Sequence, residues 1–169
     1  MKYKNSYQSP LGKMIMASDG VNLTGLWFDD QKYFALNLSD DAVCSKLPVF
    51  DRSKLWLDEY FNGVKPDFIP PISFKGTDFQ QQVWSILMRI PYGSVITYGD
   101  IAKEIAEKRG LSRMSAQAVG GAVGHNPISI IVPCHRVVGT NGSLTGYAGG
   151  IDKKAYLLNL ENTYLTKNI

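Results

Sequence analysis

The chain has 169 residues, 44% hydrophobic and 20% charged, with a formal net charge of +3. A chain of that length and composition folds around a core of its own, as one domain or two small ones. Its two cysteines, Cys44 and Cys134, and its two histidines lack metal-ligand spacing, and the chain is not a cysteine-dense secreted domain.

Charge is uneven along the chain. Residues 1–90 carry ten Lys/Arg and ten Asp/Glu, whereas residues 91–169 carry eight and five, so the whole excess lies in the second part. A basic second part suits a polyanion, although an ordinary surface fluctuation gives the same count. Met1-Lys2-Tyr3-Lys4-Asn5 is followed by no apolar segment, so it does not read as a signal peptide, and no stretch approaches membrane-spanning length. The expected setting is reducing and cytoplasmic, with no membrane. A Cys44–Cys134 disulfide stays open; Cys44 reads better as a small buried apolar residue.

In chain order, Lys13–Ser18 and Leu23–Phe28 flank Asp19-Gly20 and predict a hairpin in a small antiparallel sheet. Leu55, Leu57, Tyr60 and Phe61 have helical spacing over 52–62, ending at Asn62-Gly63. Lys65-Pro66-Asp67-Phe68-Ile69-Pro70-Pro71 places a domain boundary nearby. Thr77 is placed to cap a helix over 78–89 with Phe79, Val83, Trp84 and Leu87 on one face. A helix from Thr97 to Gly110 turns Ile101, Ala102, Ile105 and Ala106 inward. Ser112 is expected to cap a third, over 113–123. Two helices joined by a short glycine-containing turn form a helix-turn-helix signature. Gly120-Gly121 inside the third costs roughly 1 kcal/mol per glycine against alanine. Either close helix packing or a bulky partner against the helix explains them. Lys108, Arg109 and Arg113 stand at the preceding turn, where phosphates would run; His125 reads as a loop residue. The fold class is therefore α+β: an N-terminal α/β domain over 1–72 with a small antiparallel sheet, and a mainly helical C-terminal domain over 73–169.

The most informative stretch is Pro133-Cys134-His135-Arg136-Val137, after the apolar run Ile128-Ser129-Ile130-Ile131-Val132. It predicts a reactive thiol at the exposed end of a buried strand, beside an imidazole and a fixed cation. Thiolate, not thiol, is the nucleophile, and nearby cations favour it. Adjacent strand residues point oppositely, so the thiol and the imidazole need not touch directly, and a bridging water could connect them.

These residues resemble a known family. Ile131–Gly139, Pro91-Tyr92-Gly93 with Thr97-Tyr98, Ala118-Val119-Gly120-Gly121-Ala122 and Gly146-Tyr147-Ala148-Gly149-Gly150 are similar to the motifs of O6-alkylguanine-DNA alkyltransferases. The likeness runs from about Gly76 to Glu161; residues 1–70 follow more loosely, through Ser9-Pro10-Leu11-Gly12 and the hairpin. The resemblance implies a ribonuclease-H-like first domain and DNA repair by direct reversal. A flipped guanine gives up its O6-alkyl (methyl) group irreversibly to Cys134, in a single turnover with no metal or organic cofactor. It implies that His135 takes the thiol proton through water, that Glu161 orients His135, and that Asn126 is the hinge between recognition helix and active segment. It implies that Tyr98 pushes the target phosphate and assists the leaving group. Pro133, Val137, Tyr147 and Ala148 line the pocket beside Tyr98, and Arg113, Ser115, Gln117, Ala118, Gly120 and Arg136 join Tyr98 on DNA. The implied partner is double-stranded DNA containing O6-alkylguanine, met by a monomer.

Two positions depart from the family pattern. Gln117 stands where an arginine is usual, and Ala148 where some members have serine. A lesion-binding protein without transfer, a thiol hydrolase and a transcription factor are the competing readings. Cys134 opposes the first, nothing marks an oxyanion hole for the second, and the short side chains of the third helix oppose base reading.

Overall fold

Alternation of apolar and polar residues builds the first element of the fold. The structure is a computed structural model, described for residues 3–31, 38 and 41–167, with side chains through 162. Strands β1 (Tyr3–Ser9), β2 (Gly12–Ser18) and β3 (Leu23–Phe28) form an antiparallel meander. Asp19 closes the β2–β3 turn by accepting the backbone N–H of Val21 at 2.9 Å and of Asn22 at 2.7 Å. The expected purely antiparallel sheet is corrected in one respect. β4 (Val43–Cys44) pairs parallel to β1, giving a mixed sheet in the order β3-β2-β1-β4. An antiparallel neighbour follows a tight turn, but β4 arrives through a longer connection.

Cys44, expected to be buried, is exposed on this short edge strand, and both cysteines are free. Helix α1 (Pro48–Phe61) starts four residues before the predicted point, because Pro48 suits a first helical turn. Its buried face is Val49, Phe50, Ser53, Trp56, Leu57 and Tyr60, while Leu55, one of the residues that marked the helix by spacing, is 53% exposed.

Helices α2 (Asp78–Leu87) and α3 (Tyr98–Arg109) follow their local signals closely. Thr77 and Thr97 each form a capping box, and Gly110 ends α3 at φ 67°. Helix α4 (Ala116–Gly124) is capped by Ser115, whose hydroxyl accepts the Ala118 N–H at 3.1 Å. Ser112, the expected cap, lies in the connection, so the helix begins three residues late. The indole of Trp84 on α2 donates to the Ala122 carbonyl of α4 at 2.8 Å. His125 caps the C-terminus of α4.

Two further strands, β5 (Ile96–Thr97) and β6 (Val137–Val138), pair in parallel, and α5 (Ile151–Lys167) ends the described chain. The free edge of β3 joins the two halves. Leu23 exchanges hydrogen bonds with Pro71 and Ser73, and Leu26 with Pro127 and Ser129. One apolar cluster, from Met14, Met16 and Leu26 through Tyr60 and Trp84 to Val132, Cys134 and Leu157, spans them. No helix among the described residues is long and apolar enough to cross a membrane.

Candidate active site

The segment before Cys134 is apolar and buried, yet it is not a strand. Apart from a single bridge between Ile128 and Leu26, its backbone folds into turns. Ile131 N–H bonds to the Ser129 carbonyl at 2.8 Å, and Val132 N–H to Ile128 at 3.1 Å. Asn126 replaces the missing ladder. Its Oδ1 accepts the Ile128 N–H at 3.0 Å, and its Nδ2 donates to the carbonyls of Ile128 (3.2 Å) and Val132 (2.8 Å). Buried backbone groups must be paired, and one amide side chain pairs three of them. Ile130 is held at φ 70°, a strained backbone for a β-branched residue. Cys134 therefore sits on a one-turn 3-10 helix (Cys134–Arg136), and at 5% exposure it is buried rather than at an exposed strand end.

His135 and Glu161 are both 0% exposed. His135 Nε2 lies 2.5 Å from Glu161 Oε2, so Nε2 carries the ring proton and Nδ1 keeps the basic lone pair. Nδ1 has no hydrogen-bond partner among the described residues. Glu161 collects more donors than its relay needs. Oε1 accepts Gly93 N–H at 2.9 Å and Arg136 Nε at 2.8 Å; Oε2 also accepts Tyr60 Oη at 2.7 Å and Arg136 Nη2 at 3.3 Å. Burial would push the carboxyl up. Hydrogen bonding and charge from His135 and Arg136 outweigh it and hold Glu161 down at about 2. Burial pushes His135 below its usual value despite Glu161, so at neutral pH the ring is uncharged. Arg136 is then the standing cation that keeps Glu161 ionised.

Burial also raises the Cys134 thiol. The nearby Asn126 amide and the charge of Lys154 oppose that rise. Lys154 is 0% exposed, donates to the Thr145 carbonyl at 2.7 Å and lies 5.8 Å above the Tyr98 ring. Burial brings it down to about 8. Tyr147, 8% exposed, and half-buried Tyr98 both feel the charge on Cys134, and Tyr98 donates to the Thr145 carbonyl at 3.0 Å. Pro133 and Val137 are buried on either side of the Cys134 turn, and Ala148 is half-buried beside Tyr147. Gly149 has no room for a side chain, since a Cβ would stand 2.8 Å from the Tyr147 ring. Lys154→Met removes the cation at nearly constant volume. It is expected to slow iodoacetamide alkylation of Cys134 at pH 7 about tenfold, the effect of one unit in the thiol. Mass spectrometry of the Cys134 peptide measures it, and an unchanged rate removes Lys154 from the site.

The outer surface of α4 is separate from this buried cluster. Arg113, Ser115, Gln117, Ala118 and Gly121 are exposed, and Gly120 is half-buried under Tyr98. A Cβ on Gly121 would meet nothing within 4 Å, and one on Gly120 only the Tyr98 ring at 3.9 Å, so tight packing does not demand these glycines. Arg136 is corrected. Expected on DNA, its guanidinium is buried on Glu161 and on the Ile90 carbonyl, at 2.8 Å. Arg109 bonds Gln82 at 2.8 Å and Lys108 pairs with Glu104 at 3.0 Å. No group of three His, Cys, Asp or Glu among the described residues could hold a metal ion.

The chain is similar to known proteins in sequence and in fold. Residues 78–163 match the DNA-binding domain model of 6-O-methylguanine DNA methyltransferase, and residues 2–74 match its ribonuclease-like domain. The chain belongs to that family. A methylated-DNA–protein-cysteine methyltransferase of Haemophilus influenzae is 42% identical over 160 residues, 94% of this chain and 86% of the relative. Mycobacterium tuberculosis OGT, crystallised in complex with DNA, superposes with a TM-score of 0.82 at 41% identity, over 96% of this chain and 94% of that one. An O6-methylguanine DNA methyltransferase of Methanococcus jannaschii follows at 0.62 and 28%, over 94% and 93%. By membership of the methyltransferase family the chain is a DNA-repair enzyme, and its fold is the α+β fold of these neighbours. Sequence reasoning missed two residues of its site. Lys154 reads as one of a surface pair, Lys153-Lys154, and only its lack of exposure separates it from Lys153. Tyr60 stands out only as a tyrosine on a buried face, where its hydroxyl requires a partner.

Proposed function

We propose that this chain repairs DNA by moving the methyl group of O6-methylguanine to Cys134. The observation that carries the proposal is the buried Cys134 thiol beside the His135–Glu161 relay, with the charge of Lys154 favouring the thiolate. His135 Nδ1 takes the thiol proton through a water. Sγ then bonds to the methyl carbon as the carbon–O6 bond breaks. The electron pair stays on the guanine, which takes up a proton delivered from the Tyr98 side, and Cys134 is left as a thioether. A thioether is a poor leaving group, so each molecule acts once. Glu161 steadies the imidazolium without taking its proton, because Arg136 keeps the carboxylate charged.

In the same reading α3 and α4 act as a helix-turn-helix, with the open surface of α4 against the duplex and Arg113 on a phosphate. The target base is flipped to reach a buried thiol, and Gln117 occupies the gap it leaves. Asn126 ties α4 to the Cys134 turn. Tyr98, Pro133, Val137, Tyr147 and Ala148 enclose the base. The division into domains at residues 72 and 73, a monomeric state and action in the cytoplasm belong to the same proposal.

Incubation with duplex DNA containing O6-methylguanine tests it. One methyl increment, confined to the Cys134 peptide and saturating at one per molecule, is expected by mass spectrometry. Selective binding with no increment would leave a lesion-binding protein. Gln117→Arg adds charge on the exposed surface of α4. It is expected to speed transfer from duplex DNA several-fold with little change on free O6-benzylguanine, and equal effects on both would detach Gln117 from flipping.

A further inference from the structure

Tyr60 comes from α1, in the first half of the chain, yet it reaches the relay. Its ring is 0% exposed and clamped, stacked on Trp56 at 5.3 Å and edge-on to Tyr92 at 6.1 Å and to His135 at 6.3 Å. The clamp leaves one direction for the hydroxyl. Its oxygen lies 2.7 Å from Glu161 Oε2 and 3.4 Å from His135 Nε2. Oε2 is the same oxygen that accepts the His135 proton.

The geometry points to Tyr60 as a positioning residue of the relay, its hydroxyl fixing the Glu161 oxygen that holds the His135 ring. The inference rests on the relay of the proposed function and extends it to the first half of the chain. Oε1 is anchored by Gly93 and Arg136 Nε, and this grip alone leaves the carboxylate free to twist about its own axis. Arg136 Nη2, at 3.3 Å, is the weaker hold on Oε2. Tyr60 supplies the short second anchor. With both oxygens fixed, Nε2–H has one acceptor position and Nδ1 one direction. The other ionisable groups around this point are Cys134, Lys154 and Tyr147; the last two come from α5 and the glycine-rich loop. Among the described residues, the hydrogen bonds to Glu161 come instead from Tyr60, Gly93, His135 and Arg136.

Tyr60→Phe removes the hydroxyl and keeps the ring packing. Three readouts test it, and none needs methylated DNA. In nitrogen-edited proton spectra the wild type is expected to show a downfield His135 Nε2–H proton, with a cross-relaxation peak to a slowly exchanging Tyr60 hydroxyl. In the variant that imidazole proton is expected to shift and broaden. Alkylation of Cys134 by iodoacetamide between pH 6 and pH 9, followed on the Cys134 peptide, is expected to slow about tenfold at neutral pH. In a Glu161→Gln background the same change is expected to cost less than about twofold, because residues acting through one another are not additive.

A wild-type imidazole signal together with a wild-type alkylation rate in Tyr60→Phe would overturn the inference, as would full additivity with Glu161→Gln. Should the variant fail to fold, the wild-type cross-peak decides, and its absence would be equally fatal. No methyl transfer from DNA to the wild-type protein, with these three results as expected, would instead overturn the proposed function.

Discussion

Cys134→Ala is expected to leave a folded protein that binds methylated DNA and takes up no methyl group. The side chain is small and buried, so its loss costs packing energy on the order of 1 kcal/mol and leaves the turn held by Asn126 in place. The exposed residues of α4 do not depend on the sulfur. Cys44 cannot substitute. It is exposed on the far edge strand β4, where Lys4, Lys13 and Lys46 share its surroundings but neither His135 nor Glu161 does. Intact-mass measurement after incubation with O6-methylguanine duplex checks the expectation, alongside binding by fluorescence anisotropy. A methyl increment on the variant, at Cys44 or elsewhere, would show that another nucleophile does the chemistry.

Glu161→Gln is expected to lose stability and rate together. The carboxylate serves five donors from His135, Tyr60, Gly93 and Arg136. Whichever way a glutamine amide turns, its NH2 faces donors on one side, and Arg136 is left buried without an anion. Removing one partner of a buried ion pair costs about 3–5 kcal/mol, which lowers the melting temperature of a chain this size by about 10 °C. Single-turnover transfer is expected to fall about 100-fold, the range of a lost general base, with little change in DNA binding. The pH dependence has a definite sign. Glu161 titrates near 2 in the folded protein against 4.5 unfolded, so its contribution is fully present above about pH 4.5 and is lost as pH falls toward 2. The wild type is expected to lose about 3 kcal/mol across that window and Glu161→Gln much less. Acid unfolding followed by circular dichroism measures it, and parallel curves for the two proteins would place the origin of acid sensitivity elsewhere.

Local signals were the most legible part of this sequence. Thr77, Thr97 and Gly110 mark helix ends within a few residues of the bonds they make, and the Asp19-Gly20 turn likewise. Ser112 and Ser115 offer the same hydroxyl three residues apart, and only the path of the chain after Gly110 selects the second. The run Ile128–Val132 is ambiguous by composition, because a short buried apolar segment fits a strand or a pair of turns equally. Asn126 decides it by supplying the hydrogen bonds a ladder would have made. Cys134 and His135 were legible as chemistry from their own neighbourhood; Glu161 was legible only through the family resemblance. Arg136 was misjudged because charge in sequence does not say which way a guanidinium turns. Tyr60 was hidden for a simpler reason, since 101 residues separate it from the carboxylate it meets.

The contrast between a sheltered Cys134 and an open Cys44 bears on how any preparation of this protein is quantified. An acceptor that is consumed by its own reaction has no turnover to assay, so its potency is a census of unspent molecules. A brief pulse of thiol reagent on native protein counts exposed Cys44 before buried Cys134 reacts, and so reports the same value for fresh and exhausted material. After unfolding, fresh protein presents two titratable sulfurs and exhausted protein one. The difference between the native and unfolded titres is therefore the remaining repair capacity of the sample.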